Sequence, residues 1–384
     1  MRFEFATAGR IIFGEGVLDQ AGVLASRLGS RVLAVGGGTS ARIEPLLDRL
    51  GQQDLPVCTC ALVGEPSIHG ILRLTEQARD FDADLVVAMG GGSVIDAAKS
   101  VAALLTNPGD PYEYLEVIGR GRPLANLASP VIAIPTTAGT GAEVTRNAVL
   151  ASPKERVKVS LRHASMLPKV ALVDPVLTYD MPPAVTASTG LDALTQCLEP
   201  FVSHLATPLT DGFCREGIRR AAGSLRTAFN NGSNVKARRD MALASLCGGL
   251  ALANAKLGAV HGFAGVVGGM FDAPHGAVCA RLLPFVMETN VRALQERRPD
   301  SPAIARYEEA AALLSGDPGA GIADGVAWVQ RLCDALNVPG FASYGMTKSD
   351  LAAVVAKAMP SSSMTGNPIE LTEAELATIL TQAL

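Results

Sequence analysis

Residues 83–100 read ADLVVAMGGGSVIDAAKS: an apolar run of strand composition meets three consecutive glycines and leaves as a helical pattern. The same strand-then-helix rhythm recurs along the first half of the chain. RVLAVG (31–36), PVCTCAL (56–62), PVIAIPT (130–136) and VALVD (170–174) have strand character, and helical stretches such as GVLDQAGVLASRLG and GILRLTEQARDFD lie between several of them. Alternation of this kind builds a mainly parallel sheet covered on both faces. The expectation is therefore an α/β N-terminal domain with a Rossmann-like sheet, residues 1–180. Past MPP at 181–183 the strands stop. AVTASTGLDALTQCLEPFVSH, PLTDGFCREGIRRAAGSLRTAF, VKARRDMALASLCGGLALANA and the final TEAELATILTQAL keep helical spacing. Residues 181–384 are expected to form an all-α C-terminal domain, with a ligand cleft between the two.

A chain of 384 residues, 48 % hydrophobic, is long enough for two cores. Its net charge of −4 and the lack of any block of like charges argue against nucleic acid or a membrane surface as partner. RR at 219–220 and ARR at 237–239 read as solvated helix faces. No apolar run reaches the roughly 18 residues of a membrane span, and the N-terminus has no basic start before an apolar stretch. The seven cysteines form no CxxC pair. Reduced thiols in a cytoplasmic protein are the expectation.

The glycines of GGGSVIDAAKS let a ligand approach the backbone, and the helix behind them offers unpaired N–H groups to a phosphate. Ser93 is expected to cap this helix, with Asp96 completing a capping arrangement. The segment is no GxGxxG fingerprint, and a plain tight turn would also use glycines. PTTAGTGAEVT (135–145) places Thr136, Thr137 and Thr140 beside Gly139 and Gly141, a composition that suits a ribose or nicotinamide and also an ordinary polar loop. VGGGTS (35–40) ends the first long strand.

In the second half, two of the five histidines, His261 and His275, stand fourteen positions apart. On one unbroken helix they would be about 21 Å apart. Gly268, Gly269 and Pro274 are expected to break that helix, so both rings can face one point. Asp192 and Gln196 share a helix face upstream. One Asp and two His make a donor set for a divalent transition ion such as Fe(II) or Zn(II). Taken alone, hydrogen-bonded core residues would account for the same three.

GGGSVIDAAK, PTTAGTGAEVT, the GLDAL helix and the H-x13-H segment ending in PHG occur here in the order they have in the iron-dependent (group III) alcohol dehydrogenases, and the chain resembles that family from RIIFGEG to GNPIELTEAEL. The resemblance implies the dehydroquinate synthase-like two-domain plan and NAD(P)-dependent hydride transfer between an alcohol and an aldehyde or ketone. It implies that Gly91, Gly92, Ser93 and Asp96 hold the pyrophosphate. Thr136, Thr137, Thr140, Lys158 and Leu177 would line the rest of the cofactor cleft, and Asp192, His261 and His275 would bind the metal. A small-molecule substrate and a homodimer are expected.

Three positions depart from the family pattern. Gln196 stands where a third histidine ligand is usual; its amide oxygen is a neutral, harder donor, which implies weaker binding or a shifted metal preference. Gly265 replaces a histidine credited with relaying a proton, so no relay runs through that position and no catalytic proton donor is assigned. Gly37 stands near the aspartate of NAD-preferring relatives, which leaves both NAD and NADP open. Maleylacetate reductases, a sister group, act without the usual metal set, so a metal-independent oxo-acid reductase is the alternative, ahead of a dehydroquinate synthase-like lyase.

Overall fold

The computed structural model describes residues 2–38 and 40–384. Up to residue 178 strands and helices alternate as β1 (Ile11–Phe13), α1 (Ala21–Ser26), β2 (Val32–Gly37), α2 (Glu44–Gly51), β3 (Val57–Leu62), α3 (Ile68–Asp80), β4 (Leu85–Gly90), α4 (Gly92–Thr106), β5 (Val131–Pro135), β6 (Asn147–Ser152), β7 (Val157–Arg162) and β8 (Val170–Val173). The remainder is helical, with α5 (Pro183–Val202), α6 (Pro208–Asn230), α7 (Val235–Ala255), α8 (Ala259–Phe271), α9 (His275–Arg297), α10 (Pro302–Ser315), α11 (Ile322–Ala335), α12 (Leu351–Ala358) and α13 (Glu373–Ala383).

Six strands form one parallel sheet in the order β1-β8-β5-β4-β2-β3. Its two-sided burial shows residue by residue. Val32 and Ala34 of β2 pack with α1 and α2, whereas Leu33 and Val35 pack with α3 and α4 on the opposite face. That period of two is why these strands carry apolar residues at every position. The register sets Gly36 beside Met89, and Gly90 beside Pro135. The glycine and threonine segments that follow β2, β4 and β5 therefore leave from one edge of the sheet, where open α/β sheets bind ligands. The short edge strand β1 and the antiparallel β6–β7 hairpin were not anticipated. Three residues are too few to show a period, and the hairpin lies outside the main sheet.

The boundary between the two compact units falls at Thr178 and Tyr179, but residues 2–5 and Ala138–Thr140 pack with the helical unit, which a division at residue 180 does not capture. Phe5 stacks on Phe213 of α6, with ring centroids 5.7 Å apart. Arg238, expected on a solvated face, is almost fully buried in α7 and donates to Thr186 Oγ1 and to the carbonyls of Gly232 and Met181. Among the described residues no single helix is long and apolar enough to cross a membrane; α7 and α8 reach that composition only as a pair bent by 102°.

The α/β unit also buries two ionisable side chains. Lys99 of α4, fully enclosed, donates to the carbonyls of Ala142 and Asn147 and to Thr145 Oγ1, and pairs with Asp96 at 2.9 Å. Beside it Glu143 is completely buried, and desolvation pushes its carboxyl up to about 7 although Lys99 pulls it down. The unfolded chain ionises this group near 4.5, whereas the fold holds its proton up to about 7, so folding loses stability as pH rises through that window. The loss approaches roughly 3 kcal/mol above it. A Glu143→Gln variant should lack this slope. Urea midpoints measured at pH 5 and pH 8 should show the wild type losing ground to the variant at the higher pH.

Candidate functional site

At the sheet edge, α4 is capped two residues earlier than its sequence suggests. Gly91, with an extended backbone (φ −72°, ψ −176°), is the N-cap, and its carbonyl accepts from the N–H groups of Val94 and Ile95. Ser93 therefore lies inside the first turn. Asp96 does not reach back to close a capping box; it pairs with Lys99 and accepts from the Val149 N–H at 3.0 Å. The expected Ser93/Asp96 cap is thus corrected, and the physical reason is the glycine. A cap without a side chain leaves the first N–H groups unshielded and turned toward whatever anion approaches. The surroundings are tight. A methyl group at Gly90 would lie 2.5 Å from Val94 Cγ2, and one at Gly37 would lie 2.9 Å from the same atom. Gly37 thus has a packing role, making room for Val94 at the end of β2.

The other expected cofactor residues sit as follows. The Thr136 N–H donates to the Gly90 carbonyl, which ties the threonine segment to the glycine turn. Thr137 has its side chain within 3.3 Å of where a Gly91 Cβ would stand. Thr140 belongs to the short segment that packs with the helical unit. There the Gly139 carbonyl accepts from Gln196 Nε2 at 3.1 Å, and a methyl group at Gly139 would come within 2.7 Å of Thr189 Cβ. Lys158 of β7 is nearly buried and paired with Glu65 at 2.6 Å. Leu177, in a turn after β8, packs half-buried against the α1–α2 face of the sheet.

In the helical unit, α8 runs on through Gly268 and Gly269, contrary to expectation, because glycines flanked by helix formers cost only about 1 kcal/mol each. The break comes at Asp272–Pro274, where Asp272 is left-handed (φ 52°) and Pro274 caps α9. His275 is the first residue of α9. Next to it, a methyl group at Gly276 would stand 2.4 Å from the Ser188 carbonyl, so α9 crosses α5 in close contact one turn before Asp192. His261 is placed from the other end. The N–H groups of Ala259 and Val260 at the start of α8 are taken by Asn367 Oδ1 (3.1 Å) and Glu199 Oε1 (2.7 Å). Asn367 is buried and anchors that start.

These constraints bring Asp192, His261 and His275 together. Asp192 Oδ1 lies 3.3 Å from His261 Nε2 and 3.9 Å from His275 Nε2, and the imidazole centroids are 5.4 Å apart. Asp192 and His261 are buried, whereas His275 is partly open to solvent. Cys279, one turn after His275, joins them, and one donor atom from each of the four lies within 4.8 Å of all the others. Gln196, one turn after Asp192, is buried with its nitrogen engaged by Gly139.

The cluster calls for a positive charge. Asp192 Oδ1 and Gln196 Oε1 are buried without an aligned hydrogen bond, a costly arrangement unless a cation completes it. Burial works to raise the Asp192 carboxyl, yet the His261 ring and the charge at His275 hold it below the usual range. Burial likewise opposes a protonated His261, yet Cys279, Glu199 and Asp192 raise it well above the ordinary imidazole value. Three nitrogen and oxygen donors with a thiol, converging on one point, suit a divalent transition ion.

Sequence reading missed Glu199 and Cys279. Glu199 Oε2 lies 2.6 Å from His261 Nδ1, so the carboxylate holds that proton and leaves Nε2 free to coordinate. Its signal was spacing: Glu199 follows Asp192 by two turns of α5, and the pair brackets the His261 ring. Cys279 carried the same kind of signal, four residues after His275. A Glu199→Gln variant should bind a divalent ion about 10- to 100-fold more weakly. Competition against a chelator measures this, and unchanged affinity would mean that Glu199 does not orient the ring.

Two family models match the chain. Residues 8–175 match iron-containing alcohol dehydrogenase, and residues 186–384 match the C-terminal region of the Fe-containing alcohol dehydrogenase family. Among curated proteins, 1,3-propanediol dehydrogenase of Klebsiella pneumoniae is 36 % identical, covering 78 % of this chain and 76 % of its own. Alcohol dehydrogenase 4 of Saccharomyces cerevisiae is 32 % identical, covering 97 % and 96 %. Among solved structures, sulfoacetaldehyde reductase of Bifidobacterium kashiwanohense, in complex with NAD+, superposes with a TM-score of 0.87 at 26 % identity, covering 100 % of this chain and 99 % of that one. With both halves matched and a full-length relative above 30 % identity, the chain belongs to the iron-containing alcohol dehydrogenase family, oxidoreductases that interconvert alcohols with aldehydes or ketones.

Proposed function

We propose that this protein catalyses NAD(P)-dependent interconversion of a small alcohol and its aldehyde or ketone, assisted by a divalent ion held by Asp192, His261 and His275. The observation that carries the reading is the convergence of those three donors around a buried carboxylate oxygen that has no aligned partner. When bound, the ion supplies Lewis acidity to an oxygen of the substrate, and the nicotinamide supplies or accepts hydride.

The chain's own groups have separable tasks. Glu199 keeps the His261 proton on Nδ1. Asp192 contributes the anionic donor, and partly exposed His275 marks the side open to substrate. The N–H groups at the start of α4, behind Gly91 and Gly92, hold the pyrophosphate, with Ser93 in the same turn. Asp96 and Lys158, occupied by Lys99 and Glu65, support that edge from behind. Thr136, Thr137, Thr140 and Leu177 line the remainder. Gln196 steadies the Gly139 segment and keeps its amide oxygen as a neutral neighbour of the ion. A side chain at Gly265, one turn after His261, would meet nothing within 4 Å, so the site there has room for substrate. The NAD+ complex of the reductase supports a nicotinamide cofactor; Gly37 selects neither NAD nor NADP. A homodimer completes the reading, in a reducing, cytoplasmic setting with which seven free cysteines agree.

Protein purified without chelator should oxidise NADH or NADPH in step with an aldehyde or oxo-acid from a screened panel. Exhaustive chelation should remove that activity, and Fe(II) or Zn(II) should restore it. Full turnover in protein verified as metal-free would overturn the proposal.

A further inference from the structure

We propose that Cys279 is the fourth protein ligand of this centre, giving an Asp-His-His-Cys donor set for a thiophilic divalent ion of the zinc type. The inference rests on the metal reading above and goes beyond it in naming the donor that stands in for the usual third histidine. Three observations carry it. Cys279 is fully buried, one helical turn from His275 on α9, so its side chain leaves the same face of the helix. Its sulfur lies 3.7 Å from His261 Nε2 and 3.8 Å from His275 Nε2. A thiol has one proton and can serve one imidazole at a time, so near-equal approach to two rings suits a shared cation better than a hydrogen bond. Finally, Asp192 Oδ1, buried and lacking an aligned hydrogen bond, closes the fourth corner.

The distances fit a tetrahedron. Zinc–nitrogen and zinc–oxygen bonds of about 2.0–2.1 Å with a zinc–sulfur bond of about 2.3 Å separate neighbouring donors by about 3.3–3.6 Å. Four of the six separations, at 3.3, 3.7, 3.8 and 3.9 Å, lie within about 0.6 Å of those values, and all donor atoms lie within 4.8 Å of one another. Gln196, by contrast, has its amide nitrogen committed to Gly139 and offers only a neutral oxygen. On binding, the thiol gives up its proton to solvent, the sulfur–metal bond forms and no electron is transferred, so no oxidant is required. A thiolate also moves the preference of the site from hard ions toward Zn(II) and Co(II).

Metal-free full-length protein titrated with Co(II) tests this directly. One equivalent should produce visible d–d bands of a four-coordinate site together with an intense near-ultraviolet sulfur-to-cobalt charge-transfer band. Cys279→Ser should lose the charge-transfer band, keep the visible bands and bind zinc about tenfold or more weakly. Asp192→Ala should lose stoichiometric binding altogether. Visible bands in the wild type without charge transfer would overturn the Cys279 assignment and leave the Asp192, His261 and His275 site standing. A charge-transfer band that survives in Cys279→Ser would also overturn it. Failure of the wild type to bind cobalt would sink the metal reading itself. The wild-type spectrum decides the matter even if the variants fold poorly.

Discussion

Asp192→Ala should strip the protein of bound divalent ion and lower turnover by about a thousandfold or more. Asp192 is the one carboxylate among the donors assigned to the ion, and its Oδ1 approaches both coordinating imidazoles. Without it, two neutral histidines and at most one thiolate would have to hold a dication. Lewis-acid assistance is worth several kcal/mol, and each 1.36 kcal/mol is a factor of ten in rate. Circular dichroism checks the fold, because the variant also removes the carboxylate that interacts with His261 and Gln196. Elemental analysis, circular dichroism and steady-state turnover together make the test. Wild-type turnover in a metal-depleted variant would rule out metal assistance, and wild-type metal content would place the ion elsewhere.

Gly91→Glu should weaken binding of NADH or NADPH by about two orders of magnitude while leaving the metal content unchanged. The backbone at Gly91 is extended and accessible to any residue, and a Cβ there would first meet the Thr137 side chain at 3.3 Å, which must give slightly. A carboxylate at a helix N-cap is favourable to the helix itself. The new charge would nevertheless occupy the ground assigned to a pyrophosphate, and like charges brought together cost several kcal/mol. Stability and cofactor affinity should therefore move independently. Nicotinamide fluorescence or calorimetry reads the affinity; an unchanged value would show that the phosphates are not held at the start of α4.

The two predictions probe regions that were legible in the sequence to different degrees. The parallel sheet could be read because β2, β4 and β5 are buried on both faces and so apolar at every position. The start of α4 was misread because Ser93 and Asp96 have the right spacing for a capping box, and nothing local reveals that Gly91 takes the cap while Lys99 and Val149 claim the aspartate. The same limit applies to α8. Gly268 and Gly269 look like breakers, yet packing of the helical core keeps them helical.

Asp192, His261 and His275 could be read as a donor set from residue type, but the resemblance to a family joined them, since Asp192 and His261 are far apart in sequence and spacing alone cannot. Glu199 and Cys279 carried usable spacing, each a whole number of turns from a candidate ligand. That spacing gains meaning only when the facing helix is known. Local sequence determined the alternation of strands and helices, the glycine-lined turn after β4 and the change to helices near residue 180, because periodicity and backbone freedom act over a few residues. Tertiary structure alone decided which side chains meet, through Gly276 letting α9 lie against Ser188 and through Asn367 and Glu199 seizing the first N–H groups of α8. Donor atoms must converge to within a few ångströms, and only the packing of distant helices sets that distance.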